Sequence, residues 1–159
     1  MDKTEAAFMK EALSLACGNA QGERGGPFGA VVVKDGRIIG RGANEVTSAN
    51  DPTAHAEVQA IRDACRSLGD FRLTGCEVYT SCEPCPMCLG ALYWARVRAV
   101  YYALDRADAA EAGFDDNLIY EEIAKPLEER RLPMIRLEPD PLAANPFELW
   151  RQSTIKTEY

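Results

Sequence analysis

The chain has 159 residues, a length that suits one domain, and 47% of them are hydrophobic, enough for an ordinary globular core. No run approaches the ~18 apolar residues of a membrane span, which argues against a membrane partner. Net charge is −7 at pH 7. Where arginines cluster, as in Glu128-Glu129-Arg130-Arg131, acids accompany them, so a groove for nucleic acid is not expected.

The start, Met1-Asp2-Lys3-Thr4-Glu5, is polar and carries acids where a signal peptide would show a basic stretch and an apolar run, so the expected compartment is the cytoplasm. From about Thr4 to Ala20, Phe8, Ala12, Leu15 and Ala16 fall at helical spacing and predict an amphipathic helix. Gly22, Gly25, Gly26, Pro27 and Gly29 break it. Ala30-Val31-Val32-Val33-Lys34 and Arg37-Ile38-Ile39-Gly40 flank Asp35-Gly36, a two-residue turn between β-rich runs that predicts a hairpin. Asp51-Pro52-Thr53 reads as a helix start, with Val58, Ile61 and Cys65 carrying the helix to about Leu68. Cys76 to Thr80 reads as a strand, Met87 to Ala95 as a helix behind Pro84 and Pro86, and Arg98 to Ala103 as the next strand. A helix near Asn117 to Ala124, a strand near Met134 to Leu137 and a helix from about Pro146 complete the pattern. Strands alternating with helices predict an α/β layered domain spanning residues 1–159.

Six cysteines in a chain without a secretory pattern favour metal binding or catalysis over cross-links. Cys17, Cys65 and Cys76 sit singly among apolar residues and are expected to be buried thiols. The one histidine is placed differently. His55-Ala56-Glu57 is followed, after a strand, by Pro84-Cys85-Pro86-Met87-Cys88, the H-x-E and P-C-x-x-C pair that marks zinc deaminases. Thiolate and neutral imidazole suit Zn²⁺, one per subunit, and two cysteines at C-x₂-C spacing can chelate a single ion. A helix N-terminus behind them favours the thiolate. Three protein ligands, His55, Cys85 and Cys88, leave one tetrahedral position for water, whose pKa zinc can lower to roughly 7. Glu57 is then the candidate general acid and base. Two residues apart on a helix body, His55 and Glu57 would diverge; at a helix start both could reach one site. Cys82-Glu83-Pro84-Cys85 repeats the C-x₂-C spacing, so Cys82 could instead close a structural Cys₃His site, making the protein a non-enzymatic zinc module.

With these motifs, the sequence resembles the cytidine-deaminase-like zinc deaminases. The resemblance runs through Gly25-Gly26-Pro27-Phe28-Gly29-Ala30, through Asn50 to Glu57 and through Thr80 to Cys88. Asp108 to Asp116 and the ending Glu158-Tyr159 are similar to the guanine-deaminase branch rather than the tRNA-editing or cytidine branches. That resemblance implies a three-layer α/β/α fold with a central five-stranded mixed sheet. It also implies a homodimer whose C-terminal segment, about 140–159, swaps between subunits. Its implied reaction takes a small purine base, guanine, to xanthine and ammonia, with Glu57 catalytic. Phe28, Asn44, Ala56, Trp94, Asp116 and Tyr159 are the implied substrate contacts. Related small substrates (guanosine, cytosine, an aminotriazine) or a tRNA adenosine are the alternatives. Asn44 also suits a turn, Asp116 or Asp115 a helix cap, Phe28 a core anchor, and Trp94 the core or a dimer interface.

Overall fold

A computed structural model describes residues 3–22, 24–140 and 143–159, with the side chains of Lys3 and Thr4 left aside. The chain forms two compact units, one ending at Tyr120 and one running from Glu121 to Tyr159.

The first unit is built on a sheet of four strands, β1 (Gly29–Lys34), β2 (Arg37–Ala43), β3 (Glu77–Cys82) and β4 (Ala99–Leu104), in the order β2-β1-β3-β4. The β1 strand is antiparallel to both neighbours, and β4 is parallel to β3. The predicted hairpin forms, with Asp35 and Gly36 at φ +48° and +71°, the doubly left-handed pair that a two-residue turn needs. Alternation along β1 separates two cores. Ala30 and Val32, with Val78 of β3, face α3 (Ala56–Leu68) and α4 (Pro86–Ala95) through Ala60, Ala64 and Leu92. Val31 and Val33, with Tyr79, face α1 (Lys3–Ala20) through Met9 and Ala12. Because β1 is covered on both faces, its sequence is an unbroken apolar run rather than an alternating one. The result is the expected three-layer α/β/α arrangement.

The expectations are corrected in three places. Among the described residues the sheet has four strands rather than five: Met134 to Leu137 takes no strand conformation, since a strand exists only where its backbone groups find a ladder partner. The helix expected from Asp51 begins at Ala56. Asp51 instead folds a turn, its Oδ1 accepting from Thr53 N at 2.8 Å and Thr53 Oγ1 at 2.7 Å. Cys17 is exposed, on the solvent side of α1, while Cys76 is buried and Cys65 half-buried. A four-residue α2 (Val46–Ala49) lies before α3, and α5 (Arg106–Glu111) and α6 (Asn117–Ala124) follow β4. The second unit holds the end of α6, a 3₁₀ turn (Leu127–Glu129) and α7 (Pro146–Gln152). Asn145 caps α7 by accepting from Phe147 N and Glu148 N. No described helix is long and apolar enough to cross a membrane.

Candidate active site

Two helix N-termini converge on the metal set. His55 is the N-cap of α3, in extended backbone, and Cys85 is the N-cap of α4. Pro86 opens α4, where its missing N–H costs nothing and its fixed φ suits the first turn. Cys88 then falls on that same turn. His55 Nδ1 lies 3.6 Å from Cys85 Sγ and 3.6 Å from Cys88 Sγ, and all three donor atoms lie within 4.8 Å of one another. A tetrahedral ion with bonds of about 2.3 Å to sulfur and 2.0–2.1 Å to nitrogen needs N···S edges of about 3.6 Å. The residues therefore fit zinc in spacing as well as in donor softness.

The extended N-cap resolves the His55–Glu57 spacing. His55 precedes the helix and leaves its end, while Glu57, at the second helical position, reaches the same end from the first turn. Glu57 is 6% exposed. Its Oε1 accepts from Thr80 Oγ1 at 3.2 Å, and its Oε2 lies 3.3 Å from Cys88 Sγ. Burial raises its carboxyl above the usual range. The thiol of Cys85 is pushed down to about 4 by the Cys88 hydrogen bond, with His55 adding to the effect and burial opposing it. Cys88 is pushed up, because it donates to Cys85 and is buried. His55 is raised by its Cys85 partner.

Cys82 is not in the ligand group. It ends β3 with its Sγ 3.4 Å from Asp105 O, and burial pushes its thiol up to about 11. Among the described residues, His55, Cys85 and Cys88 form the one cluster with ligand spacing.

Above these residues lies a cavity of about 250 Å³, walled by Phe28, Asn44, Thr47, Phe114 and Asp116 and open to His55, Glu57 and Cys85. It is smaller than the roughly 300–1,000 Å³ of drug-sized sites and suits a small planar molecule. Phe28 meets Phe114 edge-on at 5.0 Å. Asn44 takes the turn role as well as the wall: its Oδ1 accepts from Gly26 N and Val46 N, both at 3.1 Å, so Nδ2 is the donor it offers a ligand. Asp115 takes the local role before α6, accepting from Asn117 N at 2.9 Å, and Asp116 is the acid that lines the cavity. Burial raises the Asp116 carboxyl, and Arg106 pulls it back.

Ala56 and Trp94 are not among the residues that line this cavity. Ala56 is buried in the core between α3 and the sheet. Trp94, near the end of α4, is 69% exposed, and Tyr159, in the second unit, is 72% exposed. Sequence reasoning missed Arg106, Phe114 and Thr80. Phe114 lies within the stretch that carries the guanine-branch resemblance, but spacing alone does not mark it.

The family described as the cytidine and deoxycytidylate deaminase zinc-binding region matches residues 2–104, which include the whole metal set and Glu57. The chain is 58% identical over 152 residues to guanine deaminase of Bacillus subtilis, covering 96% of this chain and 97% of that one. The X-ray structure of guanine deaminase from Bacillus subtilis superposes with a TM-score of 0.93 at 56% identity, covering 100% of this chain and 99% of the other. A tRNA-specific adenosine deaminase of Agrobacterium fabrum is 45% identical over 104 residues, covering 64% of this chain and 68% of that protein. The likeness to the editing enzyme covers 64% of this chain, whereas the likeness to guanine deaminase covers 96% and so extends into the last third. The chain thus belongs to the cytidine and deoxycytidylate deaminase zinc-binding family.

Proposed function

We propose that the protein is a zinc-dependent aminohydrolase that converts guanine and water to xanthine and ammonia. The observation that carries this reading is the cavity itself. It joins the metal set and a buried carboxylate to an aromatic wall, an amide donor and a carboxylate acceptor. Guanine presents N–H donors that a carboxylate such as Asp116 accepts, and acceptors that Asn44 Nδ2 serves. Phe28 and Phe114, in edge-to-face contact with each other, together offer a ring one apolar wall. A free base has no phosphates to grip, which agrees with the net charge of −7. Full-length likeness to guanine deaminase supports guanine over the other small substrates.

His55, Cys85 and Cys88 would hold a zinc ion, which when bound would supply Lewis-acid activation of water. Glu57 would take one proton from the attacking water and pass it to ring N3 as the C2–O bond forms, then take the second proton from the new hydroxyl and pass it to the amine as the C2–N bond breaks. Thr80 holds one of its oxygens during this transfer.

The reading includes a homodimer in which the C-terminal segment, about 140–159, crosses to the other subunit and brings Tyr159 to its cavity. Supporting it are the exposed apolar side chains of Tyr93 and Trp94 on α4 and of Met134, Ile135, Leu137 and Phe147 in the second unit.

Ammonia release from guanine, guanosine, cytosine, cytidine, adenine and a tRNA anticodon stem tests the substrate. Guanine turnover is expected; silence on guanine with activity on the RNA overturns the reading. Glu57→Gln is expected to keep zinc and lose nearly all turnover. Mixing inactive Glu57→Gln with a chain lacking Tyr159 is expected to restore guanine turnover if the segment is exchanged. An activity no higher than the sum of the two separate proteins would return Tyr159 to its own subunit.

A further inference from the structure

Arg106, the first residue of α5, is held on three sides in the cavity wall. Its guanidinium carbon stands 3.8 Å from the centroid of the Tyr120 ring, a cation–π contact. Its Nη2 donates to Asn117 Oδ1 at 3.2 Å. Its Nε is buried with no hydrogen-bond acceptor among the described residues, and lies 3.4 Å from Asp116 Oδ1 at ion-pair distance. Tyr120 is itself anchored to the metal loop, its hydroxyl donating to Pro84 O at 3.2 Å, one residue before Cys85. Pro84, Tyr120, Arg106 and Asp116 thus form a continuous set of contacts from the metal loop to the acid that faces the cavity. Asp116 has only 19% of its side chain exposed, so burial works against its charge and Arg106 is the neighbouring cation that opposes this.

We propose that Arg106 is the positioning residue of Asp116 and, through it, a specificity determinant for a purine edge that presents N–H donors. The proposal rests on the guanine reading above. An ionised, fixed carboxylate accepts from adjacent N–H groups; one that turns or takes up a proton loses an acceptor. The planar guanidinium stacks on Tyr120 and meets Asp116 along its edge, a geometry that a lysine ammonium can replace in charge but not in shape.

The test uses zinc-loaded wild type, R106K, R106M, D116N and the double variant R106M/D116N, with steady-state ammonia release from guanine, zinc content and thermal melting measured in parallel. R106M is expected to keep its zinc and raise KM for guanine roughly ten- to a hundredfold, with a smaller change in kcat. R106K is expected to recover part of that loss. The double variant is expected to be no worse than D116N by more than about twofold, because Arg106 acts through Asp116. Additive losses, or a wild-type KM in R106M, overturn the proposal. Should R106M fail to fold, the cycle of R106K, D116N and R106K/D116N reads the same coupling, and additivity there overturns it equally. A wild type silent on guanine overturns the substrate reading, whereas an active wild type with additive variants overturns the Arg106 role alone.

Discussion

Thr80 donates its hydroxyl to Glu57 Oε1 across 3.2 Å, from the middle of the sheet to the first turn of α3. Both side chains are buried, so no water competes for the bond. With one oxygen held, the other stays on the metal side, 3.3 Å from Cys88 Sγ. Thr80→Val keeps the shape and removes the donor. A lost hydrogen bond to a charged group costs about 1.5–3 kcal/mol, so kcat is expected to fall about tenfold or more. Zinc content should be unchanged and Thr80→Ser should restore the rate. A wild-type kcat in Thr80→Val would remove Thr80 from the transfer step.

Cys82 lies close to the site without serving it. Its thiol is set against Asp105 O at 3.4 Å and stands outside the group of three donor atoms, from His55, Cys85 and Cys88, that lie within 4.8 Å of one another. Cys82→Ser is expected to retain one zinc per chain and turnover within about threefold of wild type. Cys85→Ser and Cys88→Ser are expected to lose the metal. Atomic absorption on the three purified variants decides it, and zinc lost from Cys82→Ser would reinstate a four-ligand structural site.

The metal set was legible because its chemistry is written locally: a ligand at each of two helix starts, with Pro86 marking the second. The hairpin was legible for the same reason, since Asp35-Gly36 carries its own backbone conformation. Features that depend on distant packing were not. Asp51-Pro52 has the composition of a helix start, yet its side chain closes a turn four residues early. Met134 to Leu137 has the composition of a strand, but composition supplies no pairing partner. Arg106 and Thr80 act through residues 10 and 23 positions away, and no spacing rule connects such pairs. Asn44 shows that two readings can hold together, its side-chain carbonyl serving the turn while the residue lines the cavity.

Tyr79 gives a prediction independent of the site. Its ring lies between Phe8, at 5.3 Å, and Tyr101, stacked at 4.7 Å, and burial with the nearby Glu77 carboxylate pushes its phenol up to about 12. A phenol that holds its proton more tightly folded than unfolded favours the folded state fully below pH 10. That contribution is lost as pH rises from 10 towards 12. Ultraviolet titration of phenolate is expected to show one tyrosine of the six ionising last, and Tyr79→Phe should delete that step. Six tyrosines titrating together near pH 10 would contradict it.

The position of the catalytic helix depends on glycine. A Cβ on Gly42 of β2 would stand 2.1 Å from Ala56 O and 2.4 Å from Ala60 N, and one on Gly40 would stand 2.6 Å from Ala60 O and Ala64 N. These neighbours are backbone, so no rotamer change relieves the clash and α3 itself must move. Ala56 sits between His55 and Glu57, and a displaced α3 therefore carries a metal ligand and the proton carrier away from Cys85 and Cys88 together. Gly42→Ala is expected to cost about 2–4 kcal/mol in urea unfolding and to weaken zinc retention against a chelator. Gly18→Ala in α1 is the control. Its Cβ meets nothing within 4 Å, and replacing a helical glycine should stabilise the fold by up to about 1 kcal/mol. If Gly42→Ala lost stability but held zinc as tightly as Gly18→Ala, the close approach of α3 to β2 would serve packing alone, and the site's geometry would have to be set from α4.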